Sequence, residues 1–105
     1  NLAASGNQSG QIISQLNIDT ALIVGSAFSL KNGFTVGNYE EGVLKKSIIS
    51  KAEKVIMLID SSKFVKTMPF TFAHMEDIDI LITDKRPSEE VMELAQKSQI
   101  KVIYE

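Results

Sequence analysis

The sequence predicts an α/β domain built on a largely parallel β-sheet with helices on both faces. Four short apolar runs, one of them broken by Asp79 and one opened by Lys101, are typical of strands buried on both faces. Segments with helical periodicity separate several of these runs, and parallel strands need such crossover connections. The runs interpreted as strands are Ala21–Val24, Val55–Ile59, Ile78–Ile82 and Lys101–Tyr104.

The longest predicted helix lies between the first and second strands. Asn38 can cap the amides of the following turn, and Glu41, three residues later, can reach back to it as in a capping box. We therefore expect a helix from Tyr39 to about Lys54. Its apolar stripe is formed by Val43, Leu44, Ile48 and Ala52.

Two shorter helices and one chain reversal complete the predicted elements. Gln11–Leu16 has apolar residues on one side and follows a possible cap at Ser9, which predicts a short helix. Pro87 and Ser88 open another helix over Glu89–Lys97. Asn32-Gly33 is the strongest turn signal, because these residues best tolerate the positive φ angles of a type I′ turn.

Length and composition fit one soluble domain over residues 1–105. The chain has 44% hydrophobic and 23% charged residues, which is ordinary for a globular protein. Residues 1–10 are small and polar, and are interpreted as an expression remnant or the ragged start of a domain. With no cysteine, disulfides and thiolate metal sites are excluded.

The charge and the motif inventory exclude several function classes. A net charge of −2 gives no basic footprint for DNA, so we expect no DNA binding by this chain alone. Apolar runs such as Val55–Ile59 are far shorter than the roughly 20 residues that span a bilayer, so a cytoplasmic protein is expected. The sequence contains no Gly-Lys-Ser phosphate loop, no GxSxG elbow and no histidine pair, and we predict no cofactor and no metal.

Polar residues follow the predicted strands where parallel sheets bind their ligands. Gly25-Ser26 follows the first strand, Asp60–Lys63 the second and Thr83–Lys85 the third. The loop Val36–Asn38, which leads into a helix, can join them. Free amides and the positive end of a helix dipole favour an anion such as phosphate at this edge.

Each of these features also has a purely structural interpretation. Asp60–Ser62 can be a self-bonded turn and Lys63 a solvated surface lysine, while Glu40 and Glu41 favour any helix N-terminus. His74, the only histidine, is interpreted as a packed or surface loop residue rather than a base or ligand. The aromatic residues of the second half are assigned to core or interface: Phe64, Phe70 and Phe72.

Four segments resemble the effector domain of DeoR-family repressors in order and spacing. They include the strings DSSKF and DIDILITD, and are Lys31–Glu41, Leu44–Lys46, Val55–Phe64 and Asp77–Asp84. The resemblance runs from about Ile18 to the end. It implies a sugar-phosphate-sensing domain of a bacterial repressor of carbohydrate metabolism that forms homo-oligomers. Operator DNA is then bound only through a preceding winged helix-turn-helix, which this chain lacks together with the first part of the sensor domain.

The effector domain of that family in turn resembles the ribose-5-phosphate isomerase and CoA-transferase-like fold, which bears on catalysis. Lys45 stands where the isomerase has its catalytic glutamate, and a lysine cannot act as that carboxylate base. We therefore predict no catalytic residues. A separate departure is Val65, where the repressor family usually has a glycine after the phenylalanine, and it concerns the local loop shape. The alternative is a small sugar-phosphate isomerase-like enzyme, motivated by Asp60, Glu41 and Lys63 near one strand edge.

Carried over position by position, the resemblance implies a set of effector contacts on the helix and in the loop after the second strand. They are Asn38, Glu41, Lys45, Asp60, Ser62 and Lys63. The phosphate would be held by Lys45 or Lys63 together with backbone amides. Sugar hydroxyls would be bound by Asp60, Asn38 or Glu41.

Overall fold

A computed structural model describes residues 16–105, which form two β-sheets and two α-helices. In chain order the elements are β1 (Ile18–Val24), β2 (Ala27–Ser29), β3 (Gly33–Val36), α1 (Tyr39–Lys51), β4 (Ala52–Leu58), β5 (Phe70–Ala73), β6 (Ile80–Ile82), α2 (Glu89–Lys97) and β7 (Lys101–Ile103). Single 3-10 turns cover Ser61–Lys63 and Met75–Asp77. The predicted helix Gln11–Leu16 and residues 1–10 lie outside the described range, apart from Leu16.

The predicted parallel sheet is confirmed. Its four strands run in the order β1-β4-β6-β7, and all three neighbouring pairs are parallel. One rung crosses the whole sheet through Ile23, Met57, Leu81 and Val102. Met57 and Leu81 have no exposed surface, so this rung passes through the centre of the core.

Only one face of the parallel sheet is covered by residues 16–105, so the prediction of helices on both faces is wrong for this part of the chain. Ala21 and Ile23 of β1 are buried, whereas Leu22 and Val24 between them remain 62% and 60% exposed. The strand order explains this asymmetry. Crossovers are right-handed, and when successive strands are added in one direction, right-handed crossovers place every connection on the same face.

Helix α1 begins as predicted and ends earlier. The Asn38 side chain accepts a hydrogen bond from the Glu41 amide at 2.9 Å, which confirms the cap. The helix stops at Lys51, not Lys54, because Ala52 already pairs with Ile18 of β1. Ala52 therefore leaves the predicted stripe and begins a strand, since pairing with β1 overrides the local helical periodicity.

Helix α2 matches its prediction over Glu89–Lys97. The Ser88 hydroxyl accepts a hydrogen bond from the Val91 amide at 3.3 Å and caps the helix. Val91 and Ala95 are buried in the same hydrophobic cluster as the covered face of the parallel sheet. Among residues 16–105, neither helix has the length and apolar character that would let it cross a bilayer.

The second sheet is an element that the sequence reasoning missed. It is antiparallel, with the order β2-β3-β5, and it encloses Phe28, Phe34 and Thr35, none of which is exposed. Phe28 and Phe34 pack against each other with ring centroids 4.7 Å apart and ring planes tilted by 52°. Its strands have three or four residues each, too short for the alternation of buried and exposed positions to stand out.

The reversal at Asn32-Gly33 is confirmed, but a type I′ turn is the wrong geometry. Ser29 pairs with Gly33, so three residues form the loop, and only Gly33 takes a positive φ of 75°. A Cβ atom at Gly33 would lie 2.6 Å from the carbonyl oxygen of Ala73 on β5. Glycine is required there by backbone conformation and by the approach of the neighbouring strand.

Candidate functional site

Backbone hydrogen bonds join the carboxyl ends of the four parallel strands into one continuous edge. The bonds run from Gly25 N to Leu58 O at 2.8 Å, from Ile59 N to Ile82 O at 3.0 Å and from Thr83 N to Ile103 O at 3.0 Å. The three polar segments predicted to meet here therefore begin side by side. This is the edge at which open α/β sheets bind ligands.

The Asp60–Lys63 segment forms a compact turn organised by its own aspartate. The Asp60 carboxylate accepts hydrogen bonds from the Ser62 amide at 2.9 Å and from the Ser62 hydroxyl. These two bonds, the hydroxyl bond first, lower the pKa of Asp60 below its usual value. Asp60 is thus an ionised, acceptor-only group at neutral pH.

Asp84, beyond the end of β6, bonds the same turn from the neighbouring strand. Its carboxylate accepts the Ser61 amide at 2.7 Å and the Ser61 hydroxyl at 3.0 Å. The amide bond is the main reason that the pKa of Asp84 is lowered. Neither Ser61 nor Asp84 was among the predicted contacts, although both lie in polar segments that the sequence placed at this edge.

The amides of this turn are already paired inside the protein. Ser61 N bonds Asp84, Ser62 N bonds Asp60, and Lys63 N bonds the Asp60 carbonyl at 2.9 Å. Phe64 N bonds the Ser61 carbonyl at 3.4 Å. The expectation that free amides gather here is therefore wrong for this turn, and side chains remain as its means of holding an anion.

Helix α1 delivers Lys45 to the carboxyl end of β1. The Lys45 Nζ donates a hydrogen bond to the Val24 carbonyl at 2.8 Å and lies 3.0 Å from a carboxylate oxygen of Glu41. It also lies 5.2 Å from the ring centroid of Phe72, and its side chain is 17% exposed. This position for an ammonium group combines an ion pair, a carbonyl and an aromatic face.

The predicted contacts fall into two groups at the same edge. Asn38, Glu41 and Lys45 are linked along α1, while Asp60, Ser62 and Lys63 belong to the turn after β4. Within residues 16–105 no hydrogen bond or ion pair joins the two groups. The parallel sheet connects the two groups. The Val24 carbonyl accepts the hydrogen bond from Lys45, and Val24 pairs in register with Leu58, which lies two residues before Asp60.

Lys63 differs from Lys45 in having no carboxylate partner in the described part of the chain. The ion pairs found there involve Lys45 with Glu41 and Arg86 with Glu89. Lys63 is half-buried beside the Asp60 turn. Its ammonium group is therefore not engaged in an ion pair in the described residues.

Gly25 serves packing rather than an anion-binding loop. A Cβ atom there would lie 3.2 Å from both Ile59 Cδ1 and Met57 Sδ, so the residue lets two core side chains approach the backbone. Its amide is occupied by Leu58. The contribution of this loop to ligand binding is thus limited to Ser26, which is half-buried.

Of the other singled-out residues, Phe64 and Phe72 pack as expected, whereas Phe70 is 37% exposed and lies outside the core. His74 is exposed, and its amide donates to Asp77 at 2.8 Å. Within residues 16–105 no group of His, Cys, Asp and Glu side chains is arranged to hold a metal ion. Phe72 is buried, Phe64 packs against Phe28, and Phe70 contacts the exposed ring of Tyr39. Val65 is 89% exposed and lies outside the core.

The fold and its edge define a class: an α/β domain whose parallel strands end in polar, charged loops at the ligand-binding edge. Residues 1–85 match the family described as the DeoR C terminal sensor domain, and the chain belongs to that family. This confirms the resemblance seen in the motifs.

Three curated relatives show how similar the chain is to individual proteins and how much of each protein it covers. The chain is 32% identical to the HTH-type transcriptional repressor GlcR of Bacillus subtilis over 91 residues, covering 87% of the chain and 35% of the relative. It is 31% identical to the deoxyribose operon repressor of Escherichia coli K12 over 86 residues, covering 82% and 34%. It is 30% identical to the HTH-type transcriptional regulator GlpR of Haloferax volcanii over 82 residues, covering 78% and 32%. The chain thus spans about a third of the length of these relatives.

Proposed function

We propose that this chain is the effector-sensing domain of a bacterial DeoR-type transcriptional repressor of carbohydrate metabolism, and that its effector is a phosphorylated sugar. The observation that carries the proposal is the family match over residues 1–85. The site supports it, since lysines and ionised carboxylates are gathered at one sheet edge. Cations suit a phosphate and carboxylates suit hydroxyl donors.

The chemistry of the two groups divides the ligand between them. Lys63 has no carboxylate partner in the described residues and is the first candidate for the phosphate. Asp60, ionised and partly committed to Ser62, retains lone pairs for sugar hydroxyls. On α1, Asn38, Glu41 and Lys45 contact the other side of the ligand, where an anion competes with Glu41 for the Lys45 ammonium.

The sensing role needs only a modest energy difference between two states of the repressor. A ligand shifts such an equilibrium by its differential affinity, typically ~1–3 kcal/mol of coupling. In this proposal the protein is cytoplasmic and works as a homo-oligomer, and operator DNA is contacted by a helix-turn-helix domain of the full-length regulator. The net charge of −2 agrees with a domain that does not itself hold DNA.

The proposed domain is a binder on an isomerase-like fold, not an enzyme. Lys45 occupies the position of the isomerase glutamate, and its ammonium is paired with Glu41 at 3.0 Å. A protonated lysine in that contact cannot abstract a proton from a sugar carbon. The isomerase and CoA-transferase-like fold is part of this proposal.

The test is ligand binding by the full-length protein. Glucose 6-phosphate and 2-deoxyribose 5-phosphate are screened by thermal shift and then titrated, with the unphosphorylated sugars and inorganic phosphate alongside. A sugar phosphate should stabilise the protein, and its unphosphorylated form should not. If none of a wider panel of hexose and pentose phosphates changes the melting temperature, the proposed effector class is wrong.

Lys63→Ala then tests the phosphate contact within that experiment. Loss of a charge-assisted contact of roughly 1.5–3 kcal/mol should lower the affinity for the sugar phosphate by about one to two orders of magnitude. Lys66→Ala is the matched control, because Lys66 is an exposed lysine three residues further along the same loop. Equal affinities for wild type and Lys63→Ala would show that Lys63 is only a solvated lysine.

A further inference from the structure

The turn that carries Asp60 and Lys63 is held in place from the adjacent strand. Asp84 accepts the Ser61 amide with one carboxylate oxygen at 2.7 Å and the Ser61 hydroxyl with the other at 3.0 Å. The bidentate arrangement fixes both the position and the orientation of Ser61. Because Ser61 lies between Asp60 and Ser62, this contact also restrains the backbone from which their side chains extend.

We propose that Asp84 is a positioning residue of the effector site, which holds the Asp60–Lys63 turn in its ligand-binding geometry through Ser61. The inference rests on the proposed function. Asp84 acts through Ser61, and no contact of Asp84 with the ligand is required.

The rest of the turn shows why this contact matters. The bonds inside the turn come from Ser62 and Lys63 to Asp60, all within four residues. Such local bonds fix the shape of the turn but not its orientation on the sheet. The Ile59 amide, just before the turn, bonds Ile82 of β6. Within residues 16–105, the two hydrogen bonds from Ser61 to Asp84 are the ones that tie the turn itself to the segment after β6.

The opposite end of β6 supplies a matched control. Asp79 precedes the strand, and its carboxylate accepts the Val55 amide of β4 at 2.7 Å, the same distance as from Asp84 to Ser61. Asp79 therefore bonds an amide of β4 from one end of β6, and Asp84 bonds an amide of the turn after β4 from the other end. Only Asp84 lies at the carboxyl edge, so only its substitution should lower the affinity for the ligand.

The conservative variant separates geometry from charge. In Asp84→Asn the amide oxygen can still accept the Ser61 amide, and the NH₂ group can donate to the Ser61 hydroxyl, which then acts as acceptor. The bidentate contact with Ser61, which we call the clamp, is preserved while its negative charge is removed. In Asp84→Ala both bonds are lost.

The experiment measures affinity for glucose 6-phosphate and 2-deoxyribose 5-phosphate by calorimetry on the full-length protein. Asp84→Ala should lower the affinity for the sugar phosphate that binds by about tenfold, and Asp84→Asn should lower it by no more than about threefold. Asp79→Ala should leave this affinity unchanged. A double-mutant cycle of Asp84→Ala with Ser61→Ala should be non-additive in affinity, since both substitutions remove the bond between the Ser61 hydroxyl and Asp84, while the amide bond is lost only in Asp84→Ala. A residue with a merely structural role would lower the melting temperature without this pattern.

The outcomes separate the inference from the function on which it rests. If wild type binds neither probe nor any other sugar phosphate, the proposed function and the inference both fail before any substitution is made. If wild type binds and Asp84→Ala binds as tightly, the inference alone fails. It also fails if Asp84→Asn weakens binding as much as Asp84→Ala does, because the carboxylate charge and not the clamp is then what the ligand requires.

Discussion

The one-sided parallel sheet can be tested with two adjacent residues of β1. Ile23 is 5% exposed and faces the helices, whereas Leu22 is 62% exposed and faces away from them. Removing a buried isoleucine side chain loses transfer energy and leaves a cavity, so Ile23→Ala should lower the free energy of unfolding by about 2–5 kcal/mol. Leu22 buries little more than a third of its surface and leaves no cavity, so Leu22→Ala should lose no more than about 1 kcal/mol.

The assay is urea unfolding of the 105-residue chain followed by circular dichroism, with wild type and both variants measured at two protein concentrations. The m-value should stay constant, so that midpoint differences report stability. Equal losses for Leu22→Ala and Ile23→Ala would refute the one-sided sheet. A Leu22→Ala effect that grows with protein concentration would mean that a second copy covers the open face.

Two further outcomes follow from local geometry. Gly33→Ala should destabilise the chain by at least about 1 kcal/mol in the same urea assay, because φ is 75° and the new Cβ would meet the Ala73 carbonyl at 2.6 Å; an unchanged midpoint would contradict that backbone. The lowered pKa values of Asp60 and Asp84 mean that their stabilisation is present above the unfolded-state pKa, near 3.8, and is lost as pH falls through the lower folded-state pKa. Stability measured from pH 6 to 2 should therefore decline below about pH 4, and a decline of the same steepness in Asp84→Asn would exclude Asp84 as a contributor.

The predictable part of the fold consists of elements whose sequence signal is local. Asn38 and Ser88 cap their helices as their side-chain chemistry predicts, and runs such as Val55–Ile59 mark the parallel strands. The antiparallel sheet was not predictable in this way, because β2 and β5 are short and pair with β3 across differing sequence distances. The open face was missed for another reason. An unbroken apolar run reads as buried on both faces, and only the strand order shows which face the connections cover.

The location of the candidate site was predictable from the sequence, but the hydrogen bonds between its residues were not. The sequence placed Asp60 and Lys63 at the sheet edge, because they follow an apolar strand. It could not show that Ser61 is bonded by Asp84, since that pair depends on β4 and β6 being neighbours in register. The same holds for Lys45, whose contact with the Val24 carbonyl joins residues on different elements.

The charges at the edge explain how the proposed site would discriminate between ligands. Glu41, Asp60 and Asp84 are each engaged in a contact within the protein, with Lys45, Ser62 and Ser61 as partners. Lys63 has no ion-pair partner in the described residues, so in the proposed site it can neutralise one phosphate while nearby carboxylates repel further negative charge. A ligand that offers hydroxyl donors beside its phosphate offsets that repulsion by hydrogen-bonding the carboxylates. Inorganic phosphate has no such polyol portion, so the proposed site would favour sugar phosphates over the free anion through its acidic residues as well as through its lysines.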